Sequence, residues 1–102
     1  MNVIRFEDLG PTRCALQGEL TFATAYQAYS DGFRRIAALE RGSRYEVDCA
    51  GIIEADSAGL SVLIEWKGEA ARRGSTLVYL GLPAAIERLA RISEVDALIK
   101  AA

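Results

Sequence analysis

The sequence predicts an α/β domain. Strand-like and helix-like hydrophobic periods alternate along the chain, turn residues punctuate them, and Asp56-Ser57-Ala58-Gly59-Leu60 marks a strand giving way to a helix. Length and composition agree with that class: 102 residues, 51% apolar and 25% charged, make one globular domain over residues 1–102. Folding a chain of this size buries roughly 65% of its extended area, enough for one ordinary core.

Residues 2–6 and 13–17 carry short strand patterns separated by Asp8, Gly10 and Pro11, which predicts a hairpin. Gly18-Glu19-Leu20-Thr21 then breaks the pattern. From Phe22 onward, Phe22, Tyr26, Tyr29, Phe33 and Ile36 recur at steps of three and four. That spacing predicts an amphipathic helix ending near Gly42, with the aromatic stripe packed into the core. Residues 45–48 predict a third strand; Cys49-Ala50-Gly51 leave it, and Ile52-Ile53 carry the apolar character into the Asp-Ser motif.

Over residues 57–73, Leu60, Leu63, Ile64, Ala70 and Ala71 share one helical face, and Ser61, Glu65, Gly68, Glu69 and Arg72 the other. Lys67 falls in the inward stripe, where its stem packs while its amine reaches water. Gly74 ends this helix. Residues 76–80 form a continuous apolar run of the kind found inside a sheet covered by helices. Pro83 suits the first position of a third helix lined by Ile86, Leu89, Ala90 and Ile92. Ser93 is placed to cap a last short helix, which docks through Val95, Leu98 and Ile99. The later strands and their crossover helices form right-handed parallel units. The Asp56-Ser57 turn then lies at the carboxyl end of a parallel strand, where such sheets present ligands.

Composition excludes several functions. The 12 basic and 14 acidic residues give a net charge of −2 with no basic stripe, which argues against nucleic-acid binding. Apolar runs fall far short of the ~20 residues needed to cross a bilayer, and residues 1–8 lack the regions of a signal peptide, so a cytoplasmic location is expected. Cys14 and Cys49 lie in apolar strand-like segments and read as buried free thiols. The chain contains no histidine, which removes the commonest general base and metal ligand. No metal site, catalytic residue or cofactor is expected.

Within the motif, Ser57 has three uses open to it: capping the helix, accepting a phosphoryl group, or belonging to a surface that another protein reads. A serine nucleophile needs a base within reach, and Lys67 lies about two turns along the helix and points elsewhere. Neither a P-loop nor a Gly-x-Gly-x-x-Gly pattern occurs. Asp56 reads as a helix-start carboxylate, and Gly59, in the first turn, asks for a close packing neighbour. On the helical wheel Val62 and Trp66 lie at one edge of the buried stripe, beside Glu69 and Arg73, as candidate apolar anchors. The candidate partner surface is therefore Ser57, Ala58, Ser61, Val62, Glu65 and Trp66, with Ser57 also the candidate phosphorylation site.

The chain resembles the STAS family, the domain shared by sulfate transporters and anti-sigma factor antagonists. The likeness rests on Leu16-Gln17-Gly18-Glu19-Leu20-Thr21, the strand at 45–49, the signature Asp56-Ser57-Ala58-Gly59-Leu60, the segment 71–77, and Leu82-Pro83 with Leu89-Ala90. It implies a STAS-like fold, a mixed four-stranded sheet covered by three to four helices. Residues 60–66 and 81–91 are most similar to MlaB-like domains, small cytoplasmic subunits of bacterial phospholipid-transporting ABC complexes. That branch implies a non-enzymatic subunit, peripheral to the inner membrane, that binds an ABC transporter ATPase subunit and supports lipid asymmetry. The competing implication is an anti-sigma factor antagonist whose serine, here Ser57, is phosphorylated by an anti-sigma factor kinase. A third is a STAS module that binds a small ligand.

Overall fold

A computed structural model describes residues 2–100. In chain order the elements are β1 (Ile4–Asp8), β2 (Arg13–Leu20), α1 (Ala25–Ala37), β3 (Arg44–Ala55), α2 (Ser57–Arg72), β4 (Thr76–Leu80), α3 (Ala84–Ile92) and α4 (Asp96–Lys100). The strands lie side by side in the order β1-β2-β3-β4. β1 and β2 form the expected antiparallel hairpin, while β2, β3 and β4 run parallel. The result is the mixed four-stranded sheet with four helices that the sequence predicts.

Side chains sort the sheet into two faces. Ile4, Cys14, Leu16, Tyr45, Val47, Cys49, Leu77 and Tyr79 are buried under the helices. Between them stand Arg5, Arg13, Arg44, Glu46 and Asp48 on the other face, where Arg44 pairs with Glu46 at 2.7 Å. One covered face and one wet face is the ordinary condition of a partly antiparallel sheet. The run at 76–80 is thus an edge strand with Val78 and Leu80 half-buried, rather than the fully covered interior strand its apolar character suggests.

Two strands run further than expected. β2 continues through Gly18, whose φ of 113° only glycine tolerates well, and ends at Leu20. β3 extends to Ala55 because it absorbs two bulges against β2. Ala15 pairs with Asp48 but Gln17 with Gly51, and Gly18 pairs with Ile52 but Glu19 with Glu54. Each step leaves one extra residue in β3, and each reverses which residues point inward. The buried set accordingly changes from Tyr45, Val47 and Cys49 to Ile52. β1 is also displaced, spanning Ile4–Asp8 in place of residues 2–6.

α1 differs most from expectation. It begins at Ala25 and ends at Ala37, short of Gly42, and its buried residues are Ala28, Gly32 and Ile36. These steps of four form a stripe of mostly small side chains, with Tyr29 and Phe33 half-buried beside it. Phe22 and Tyr26, assigned to the core by spacing, are each 85% exposed. The reason lies in α2. Trp66 is 2% exposed, and a Cβ at Gly32 would collide with its indole ring. A stripe of large aromatics facing α2 would hold the helices too far apart for that contact.

Around Trp66 the core is tightly specified. Its Nε1 donates to the carbonyl of Tyr29 at 3.2 Å, and Phe6 meets the indole edge-on at 5.7 Å between centroids. Tyr79 donates from its hydroxyl to the carbonyl of Leu63 at 2.6 Å. Cys14 and Cys49 are buried free thiols. Ala71 is exposed, not inward-facing.

At the C-terminal end, Pro83 occupies the N-cap of α3, one position before the helix proper, and Ser93 closes α3 instead of opening α4. Ile99 is buried, whereas Ile92 and Leu98, both expected to pack, are exposed. Among the described residues, no helix is long and apolar enough to cross a membrane.

Candidate functional site

The loop after β3 delivers Asp56 and Ser57 to the carboxyl end of the parallel strands, as the topology predicts. Asp56, not Ser57, is the N-cap of α2. Its Oδ1 accepts the Gly59 N–H at 3.1 Å, and its own backbone is extended, with φ −134° and ψ −170°. An aspartate is the stronger choice there, because its charge meets the positive end of the helix as well as an orphan N–H.

The second carboxylate oxygen serves a different purpose. Oδ2 accepts the N–H of Phe22 at 3.0 Å, tying the α2 start to the turn between β2 and α1. That turn is itself fixed. Thr24, 3% exposed, accepts the Thr21 N–H on Oγ1 at 3.0 Å and donates to the Glu19 carbonyl at 2.7 Å. Gly59 completes the junction, since a Cβ there would strike the carbonyl of Leu20 at the end of β2. The close neighbour that a first-turn glycine asks for is thus a backbone carbonyl.

Relieved of capping, Ser57 is an exposed residue in the first turn of α2. Ser61 donates from Oγ to the Ser57 carbonyl at 3.1 Å, and Glu65 lies one turn further along. Ser57, Ser61 and Glu65 therefore make one exposed ridge at steps of four, with Ala58 half-buried at its side. Val62 and Trp66 do not share it. At 6% and 2% exposure they are core residues that support the ridge from beneath and offer a partner no surface.

Spacing alone misplaced Phe22 and Tyr26, which stand exposed at the end of the molecule where α2 begins. Phe22, whose N–H binds Asp56, and Tyr26, in the first turn of α1, are each 85% exposed, and Ile53, the extra residue of the second bulge, is 80% exposed. The signal was present: Ala28, Gly32 and Ile36 offer a rival stripe at steps of four, and small residues are what a close helix pair needs.

Lys67 is half-buried on another side of α2, in a groove with Ile64, Leu77 and Leu98, and burial pulls its pKa down. Glu69, at the far end of α2, is held below the usual carboxylate range by hydrogen bonds from Arg72 and Arg73. Neither belongs to the Ser57 ridge.

A family model described as Mlab, STAS domain, matches residues 7–100. The chain belongs to this STAS family. Solved structures similar to this STAS domain include the anti-sigma factor antagonist SpoIIAA in its unphosphorylated form, at a TM-score of 0.71 and 13% identity, covering 95% of this chain and 85% of that one. Another, from Thermotoga maritima (tm1081) and assigned as an anti-sigma factor antagonist, superposes with a TM-score of 0.72 at 14% identity, covering 95% and 83%. At those identities the likeness is one of fold. No curated protein matches the chain.

Proposed function

We propose that this STAS domain is a non-enzymatic accessory subunit of a phospholipid-transporting ABC complex, docking on the ATPase subunit and supporting its assembly and activity. The observation that carries the reading is the Mlab family match across residues 7–100. The exposed ridge of Ser57, Ser61 and Glu65 supports it by supplying a docking face on a rigid helix. In this reading the domain sits at the inner membrane through its partner, and ATP hydrolysis belongs to that partner.

Ser57→Arg places a long cation on the ridge without touching the Asp56 cap. It is expected to abolish co-purification of the ATPase subunit while leaving the domain folded. Retention of the ATPase with full activity would sink the proposal.

One observation favours a second reading, an anti-sigma factor antagonist switched by a kinase. The Ser57 hydroxyl is exposed at a helix N-terminus, where a phosphoryl group would meet backbone N–H groups, opposed by the neighbouring Asp56. Intact mass spectrometry of protein from its native cells decides. One phosphate per chain on Ser57 with a co-purifying kinase supports this reading, and unmodified protein bound to an ATPase supports the first.

A further inference from the structure

Three large apolar side chains stand in water at the end of the molecule where α1 and α2 begin: Phe22 and Tyr26 at 85% exposure and Ile53 at 80%. They are not loose ends. Phe22 sits on a turn pinned by Thr24 and by the Asp56 carboxylate, Tyr26 is in the first turn of α1, and Ile53 is fixed in β3 by the bulge. Rigid, exposed aromatics are the composition of an interface centre, since little ordering entropy is lost when they are covered.

The charges around them are one-sided. Residues 17–27 and 52–66, which build this end of the molecule, contain Glu19, Glu54, Asp56 and Glu65 and no Lys or Arg, although the chain holds 12 basic residues against 14 acidic. The paired β1 segment adds one cation, Arg5, opposite Gln17. Glu19 and Glu54 are direct neighbours across β2 and β3.

We infer that the partner covers this end with an apolar recess rimmed by Lys or Arg, seating Phe22, Tyr26 and Ile53 while Glu54 and Glu65 meet the rim. The inference rests on the docking reading above and specifies the chemistry of the ATPase surface. The acidic rim argues against the other occupants. A second copy would bring the same carboxylates against these, and an anionic bilayer would be repelled by them.

The test uses the full chain co-expressed with the transporter ATPase subunit, comparing wild type with Phe22→Ser, Tyr26→Ser and the double charge reversal Glu54→Lys/Glu65→Lys. Each apolar variant should weaken ATPase binding by about tenfold or more. The charge reversal should slow association most at low salt. Thermal unfolding serves as the folding control, and all these positions are exposed. If wild type captures the ATPase and the variants bind it equally well, the inference fails and the docking reading stands. If wild type captures no ATPase, the docking reading falls and the inference with it. A concentration-dependent dimer lost in Phe22→Ser would assign the face to a second copy and overturn the inference.

Discussion

The two ends of the α1–α2 helix pair use aromatic residues in opposite ways. Toward the middle, Gly32 gives way to Trp66, whose ring is wholly enclosed and whose N–H is satisfied by the Tyr29 carbonyl. Toward the N-termini, Phe22 and Tyr26 project into solvent although they lie at helical spacing from the residues that pack. Helical period therefore does not say which of two stripes is the buried one. The partner helix does, and here it brings its own large side chain to a glycine.

Measurements can break or sharpen that contrast. The largest effect should be alkaline pH, which strikes the core that both ends share. Burial, with smaller contributions from Asp48 and Cys14, pushes the Cys49 thiol from its ordinary 9.0 up to about 12, and burial also raises Cys14 and Tyr79. The native state thus holds a proton that the unfolded chain releases first. The stabilisation is intact below about pH 9 and is lost as pH climbs toward about 12, where the native thiol itself titrates. Urea unfolding across that range should show the fall, and Cys49→Ala should make it shallower.

At the closed end, Trp66→Ala should cost about 3–5 kcal/mol and Gly32→Ala about 1–3 kcal/mol in denaturant melts. The double variant Gly32→Ala/Trp66→Ala should cost less than the sum, because the added methyl meets a void. Strict additivity would mean that the glycine is not there for the indole. At the junction, Asp56→Ala removes one capping bond and the bond to Phe22 N–H, with an expected loss of about 1–2 kcal/mol. Hydrogen exchange should report loosening at both the α2 start and the β2–α1 turn. A change confined to α2 would show that the Phe22 link contributes nothing.

Phe22→Ser and Tyr26→Ser at the open end should shift stability least, within about 0.5 kcal/mol. A cost near that of Gly32→Ala would show that the open end packs in solution and erase the contrast.

Much of the fold was legible from local chemistry. The hairpin turn, the junction before Ser57, the strand at Thr76–Leu80 and the buried thiols follow from residue type and period. The losses share one cause, that a side chain's neighbours come from elsewhere in the chain. β3 looked short because its two extra residues break the alternation that marks a strand. Val62 and Trp66 looked like helix-edge anchors because α1 is absent from a wheel of α2 alone. Ser57 looked like the cap because serine and aspartate are both good caps, and only backbone geometry shows which one the helix uses. In the candidate site, Ser57, Ser61 and Glu65 lie where the wheel puts them, whereas the exposed apolar side chains needed the fold to be seen.

The two bulges of β3 have a genetic consequence. Each behaves as an insertion that inverts the meaning of every position after it, and the second cancels the first, as a suppressor restores a shifted reading frame. Deleting Ile53 alone therefore removes only the unpaired residue, and should leave Glu54 opposite Glu19, Ala55 opposite Leu20 and Asp56 still at the carboxyl end of the sheet. Deleting Val47, in the regularly paired stretch, would instead turn the residues between it and the nearest bulge inside out. In a library of deletions, loss of the exposed Ile53 should be better tolerated than loss of the buried Val47.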